Sequence, residues 1–344
     1  ISSYMTGSNT LKKTLVFVFF VTIFSKNFGQ DLHYSQFYHS PQNINPALTG
    51  LFDGDHRFYG SFRDQWRFVP VPWFTFSGAY DRKLFVLGDK QFLGIGGIIN
   101  HDRQGDSKFN LTSINVNAAL HRFLNQHHII GIGAVLGFAS RGFNTTNLTW
   151  DKQWNGDSFD PNLPSGEQFD LLRTNFIENG LGLNYRYQKD ERTHVDLGAS
   201  VLHLIEPQVS HYDADNIKLP RRITFSGVGN FKLTSKLDLQ LHGLHQLQGK
   251  YNETIFGGLA KIYIKDTPGK RYQLHLGLGY RTAKSFIPTV ALQYNEILAS
   301  FSYDVDRNAF NDILNSNRGG PELHIRYIIK KVKPLSEIKV CPIY

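Results

Sequence analysis

Two Gly-Asp-Ser triplets, at 105–107 and 156–158, set a hydroxyl beside a carboxylate, as in the nucleophile block of some esterases. A serine nucleophile needs a base within reach and a sharp strand-to-helix turn that exposes its Oγ. Neither triplet has that setting, and the chain holds no Gly-x-Ser-x-Gly and no phosphate-cradling loop. The 14 histidines are the next place to look. His127 and His128 are adjacent, and His242 and His245 are three apart. On a strand that odd spacing puts the second pair on opposite faces, a poor start for a metal site. The chemistry-bearing residues thus point to no enzyme, no cofactor and no metal.

The elements that would position them are strands. In "QLHLGLGYR" (273–281), Leu274, Leu276, Leu278 and Tyr280 alternate with Gln273, His275, Gly277, Gly279 and Arg281. A period of two means two faces in two different surroundings. The pattern recurs at 56–63, 73–82, 91–100, 109–122, 128–140, 176–188, 192–204, 221–232, 236–247, 253–265, 271–281, 285–294, 296–305 and 321–330. About fourteen strands of roughly ten residues each match the length that crosses a bilayer when tilted. Hydrophobic residues make up only 41% of the chain while aromatics reach 14%. That balance suits a membrane barrel, in which alternate residues face lipid and the lumen stays polar.

The chain begins with Lys12 and Lys13 ahead of an apolar run from Leu15 to Phe24, the layout of a signal peptide. Residues 1–29 are expected to be removed near Gly29. Their loss takes three lysines and no acid, and lowers the formal charge from +8 to +5. Such a mild bias favours no nucleic-acid partner and is compatible with anionic lipid. The lone cysteine, Cys341, excludes an internal disulfide, so stability must come from elsewhere, such as a closed ladder of backbone bonds.

Loop length gives an independent test. The longest connections, 141–175, 205–220 and 306–320, all join odd-numbered strands to the even-numbered strands that follow, and most even-to-odd links are short. Outer-membrane barrels have this asymmetry, with short periplasmic turns and long external loops. The expected fold is therefore all-β, an outer-membrane β-barrel of about 14 antiparallel strands over 56–330. A segment at 30–55 precedes it and a periplasmic tail at 331–344 follows.

The segment "SQFYHSPQNINPALTG" (35–50) resembles the opening of mature PorP/SprF-type membrane proteins of the type IX secretion system. The matching residues are Ser35, Gln36, Phe37, Tyr38, Pro41, Asn45, Pro46, Ala47 and Gly50. Arg63, Gln65 and Trp66, then Tyr80 and Asp81, and later Ser302, Tyr303 and Asp304 continue the resemblance. The last strand departs from it, with Pro321-Glu322 where the family carries His-Glu.

The resemblance implies a non-enzymatic outer-membrane accessory of type IX export, assisting secretion or surface retention of a cognate large adhesin, including those of gliding motility. It also implies the secretion machinery as partner. The rival is a passive channel or small-molecule transporter, since about fourteen staves can enclose a solute-wide lumen. Residues 31–55 are too irregular for a strand and too aromatic for a free tail, so they are expected in the lumen or across its periplasmic mouth. Phe37 and Tyr38 would be the anchors, with Gln36 and Asn45 bonded to lumen groups. The 141–175 loop carries Trp150 and Trp154, which suit contact with protein or glycan or a fold over the barrel's own mouth.

Overall fold

From His56 onward the chain forms antiparallel staves, each paired with the next, whose alternating residues give the wall an apolar and a polar face. The computed structural model describes residues 31–65, 73–84, 90–146, 148–167, 169, 171–211, 217–267, 269–282, 285–306 and 319–330. The expected signal peptide at 1–29, Trp66 and the tail at 331–344 lie outside the described residues. The strands are β1 (His56–Gln65), β2 (Trp73–Leu84), β3 (Gln91–Gln104), β4 (Phe109–Phe123), β5 (His128–Gly142), β6 (Arg173–Gln188), β7 (His194–Leu202) and β8 (Arg222–Lys232). They continue as β9 (Leu237–Gln248), β10 (Tyr251–Thr267), β11 (Lys270–Arg281), β12 (Ser285–Tyr294), β13 (Ile297–Tyr303), β14 (Val305–Asp306) and β15 (Pro321–Ile329).

β13 and β14 are one stave broken at Asp304, and both pair with β12. The last strand, β15, pairs with β13 on one side and with β1 on the other, which closes a barrel of fourteen staves. Along the β1–β15 seam Ser61 sits opposite His324 and Arg63 opposite Glu322. Closure removes the unpaired edges that a sheet of this size would otherwise expose.

The two faces of the wall differ as the alternation requires. Leu241, Leu276, Leu278, Leu292 and Ile325 are exposed on the outside, while Gln240, His275 and His324 are buried inside. No protein core covers these leucines among the described residues, and a bilayer can cover them instead. His242 and His245 do fall on opposite faces: His242 is in the lumen, and His245 bonds outward to Thr254 at 2.8 Å.

Aromatic residues ring the outside at two levels. Near one rim Tyr272 pairs with Tyr294, and Tyr327, Phe58 and Tyr80 continue the same level around the seam. Near the other, Phe256, Tyr280 and Phe286 lie side by side. The rim at the first belt carries only short links, such as 124–127, 233–236 and 295–296. The opposite rim carries the long ones, at 143–172 and 203–221, and the link between β14 and β15.

Candidate functional site in the barrel lumen

Residues 32–55 run through the inside of this wall, from the half nearer the long loops down to the short-turn rim. The path is a chain of tight turns: a 3-10 turn at Phe37–His39, a single α-turn at Pro41–Ile44 and a second 3-10 turn at Pro46–Leu48. Pro41 and Pro46 open two of these turns, where their missing N–H costs nothing. The Asn45 side chain caps the last by accepting from Ala47 N at 2.9 Å.

The upper end is held by charge. The Ser35 and Gln36 backbone N–H groups donate to the two oxygens of Glu322, at 2.8 and 2.7 Å. Ser35 Oγ donates to Asp304 at 2.7 Å and accepts from Arg281 at 2.6 Å. Arg63 reaches Asp304 at 2.6 Å and the carbonyl of His33 at 2.7 Å. Arg281 also pairs with Glu253 at 3.0 Å, and His324 links Glu322 to Ser61, each contact at 2.7 Å. The Gln36 carboxamide spans Ser300 and Ser302 on the wall. Arg63, Asp304 and Glu322 are all essentially inaccessible to water. Charges so deeply buried persist only because each finds a partner of opposite sign.

The middle is held by shape. Phe37, 1% exposed, packs with Ile44 against Leu244, Ile255 and Ile287 of the wall. The Tyr38 ring lies 4.5 Å from that of His242. Asn45 donates to the backbone carbonyl of Leu183 at 2.8 Å, and Ser200 donates to the carbonyl of Ile44 at 2.6 Å. This approach is possible because the facing wall residues have no side chain. A Cβ on Gly182 would collide with the Asn45 carboxamide, and one on Gly133 with the Pro46–Ala47 backbone.

The lower end is held by Asp81. It accepts two bonds from Arg57, at 2.8 and 2.6 Å, and a third from Gly50 N at 2.7 Å. Gly50 has φ 74°, so this turn needs glycine. Burial pushes the Tyr34 and Tyr38 phenols upward. Burial also holds the His39 imidazole well below its ordinary value, and repulsion from His324, Arg326, His275 and Lys261 adds to the effect.

Ser35, Arg63 and Asp304 thus meet at the upper end of the segment, and Gly50 meets Asp81 at its lower end, although the chain scatters these residues over 270 positions from Ser35 to Asp304. The model of the family described as "Type IX secretion system membrane protein PorP/SprF" matches residues 26–327. The chain belongs to the PorP/SprF family.

Among curated proteins none matches the sequence. Solved structures similar to this PorP/SprF barrel include the Pseudomonas putida toluene transporter TodX, at 10% identity over 82% of this chain and 90% of that one, with a TM-score of 0.48. The Ralstonia pickettii toluene transporter TbuX is similar at 12% identity over 82% and 91%, with a TM-score of 0.46. A Pseudomonas aeruginosa FadL homologue is similar at 12% identity over 82% and 92%, with a TM-score of 0.48. The closed ring of fourteen antiparallel staves makes this PorP/SprF chain a membrane β-barrel.

Not every candidate residue joins the lumen cluster. Gln65 ends β1 at the long-loop rim. Trp150 and Trp154 lie in the 143–172 loop; Trp150 packs on Phe169 at 5.9 Å, while Trp154 is 58% exposed beside Phe159. The Gly-Asp-Ser triplets are in turns at the same rim, Ser158 within a turn closed by Asn155. Arg57, Glu253, Arg281 and His324 belong to the site, and sequence reasoning did not single them out for it. Leu244, Ile255 and Ile287 had a signal: each is apolar on the parity that otherwise carries polar lumen residues. Glu322 serves the lumen cluster from behind Pro321, so the departure at that strand leaves the carboxylate in place.

Proposed function

We propose that this PorP/SprF protein is a non-enzymatic outer-membrane accessory of type IX secretion, exported through a cleaved signal peptide. It assists a cognate large adhesin in leaving the cell or staying on its surface. The family match over residues 26–327 carries this reading. It is supported by the lumen segment, whose Thr49–Asp55 stretch ends at the short-turn rim, taken as the periplasmic one. There the segment offers the secretion machinery a fixed face that depends on Asp81, Arg57 and Gly50.

A passive channel fits less well, because residues 32–55 occupy the space a solute would cross. Chromosomal deletion tests the reading. Cells lacking the protein should retain the adhesin encoded beside it in the periplasm while other type IX substrates still exit. Normal surface display of that adhesin would overturn the proposal. Large, steady conductance of the intact protein in planar bilayers would favour the channel instead.

A further inference from the structure

Between the underside of the lumen segment and the short-turn rim lies a cavity of about 290 Å³. Its lining is unbalanced in charge. Arg57, Arg186, Arg271 and Lys330 all line it, and each has a carboxylate partner: Asp81, Asp196, Glu191 and Asp53 respectively. Lys261 of β10 and Arg326 of β15 line it too, and among the described residues neither makes an ion pair or a side-chain hydrogen bond. Arg326 Nε is buried without a partner.

The register explains the two exceptions. Lys261 sits opposite Asp238, but that carboxylate is taken by Arg192 at 2.6 Å and by the Tyr263 hydroxyl at 2.8 Å. Arg326 sits opposite Tyr59 and Leu298, which offer no negative charge. Glu296 also lines the cavity but comes within ion-pair distance of neither cation. Half-buried cations without an ion-pair partner are costly to hold, and an anion that enters offsets that cost. Beside them the wall and the segment present Tyr38, Ile44, Val228 and Ile328, an apolar flank.

We propose that this cavity binds a carboxylate carried on an apolar body and admitted from the short-turn mouth, with Lys261 and Arg326 as its counter-charges. The proposal stands independently of the secretion reading. The carboxylate can belong to a small molecule or to the free end of a polypeptide, and the test separates the two.

The full-length protein in nanodiscs is titrated with benzoate and with its neutral isostere benzamide, followed by saturation-transfer NMR. The same titration uses an acetylated Ala-Leu-Phe peptide with a free carboxylate, against its amide. Benzoate or the free-acid peptide should bind, and the stronger of the two names the source. The Lys261→Gln/Arg326→Gln double variant should weaken that binding by about tenfold or more, as loss of charge-assisted bonds does. The variant removes mutual repulsion, so it should still fold, which heat-modifiable mobility on a gel checks. Glu296→Gln should tighten binding, because it removes the competing carboxylate. Equal binding of acids and amides, or an unchanged affinity in the double variant, would overturn the proposal.

Discussion

Ser35 Oγ and the carboxylate of Asp304 are 2.7 Å apart, although 269 residues separate them in the chain. The first turn of the lumen segment is thereby fastened to the break between β13 and β14, and Arg63 and Arg281 stand on either side of that bond.

Removing Arg63 takes the closest cation from Asp304, leaving it Arg281 at 3.3 Å, and also withdraws a guanidinium 3.7 Å from Glu322. Arg63→Ala should destabilise the barrel by about 3–5 kcal/mol, the usual cost of breaking a buried pair on one side. The check is the urea midpoint of the refolded protein, with Gln65→Ala at the end of β1 expected to stay within about 0.5 kcal/mol of the parent. Equal midpoints for the two variants would mean that the cluster does not hold the segment.

The lipid-facing side has its own test. Leu276→Arg places a charge near mid-strand on the outside and should cost about 2–4 kcal/mol. The neighbouring His275→Gln, on the lumen side, keeps a polar group beside Gln273 and should be far milder. Folding yields of the two in lipid vesicles, read from gel mobility, should differ in that order.

Gly182→Leu should expel the lumen segment without altering the outer wall, since the new side chain would occupy the place of the Asn45 carboxamide. Residues 32–50 should become open to protease, and conductance should rise from near zero. A variant that stays both protected and closed would show that the wall can yield at β6.

The His39 imidazole supplies a pH test. Its folded value is depressed, so above about pH 6.5 both folded and unfolded chains carry it neutral and it contributes nothing to the pH dependence. As pH falls below about 6.5 the unfolded chain takes the proton first, and stability is lost. His39→Gln should therefore lose less stability than the parent between pH 8 and pH 5, measured by urea unfolding at each pH.

The wall was legible stave by stave. All fourteen segments expected from alternation appear as staves, including the long-loop parity, because a period of two is a local property. The contents of the lumen are not local. Nothing near Ser35 announces Asp304, and nothing near Asn45 announces the bare surface of Gly182. Those contacts depend on register around a closed ring, which alternation does not encode. A trace of them survives in β3, where "FLGIGGIIN" is apolar or glycine on both faces. The lumen-facing Gly94 of this strand lies directly against Thr49 and Gly50 of the segment.

The seam between β1 and β15 has a consequence for biogenesis. Residues 32–55 precede every stave in the chain, while the first and last staves meet only where the ring seals. Arg63 stands on one lip of that seam and Glu322 on the other. The closing stave thus delivers the carboxylate that grips Ser35 and Gln36, and enclosure and fastening become a single event. A chain arrested before β15 would hold an open sheet with its passenger unclasped, a form that quality-control proteases could tell from the finished barrel by the accessibility of residues 32–55 alone.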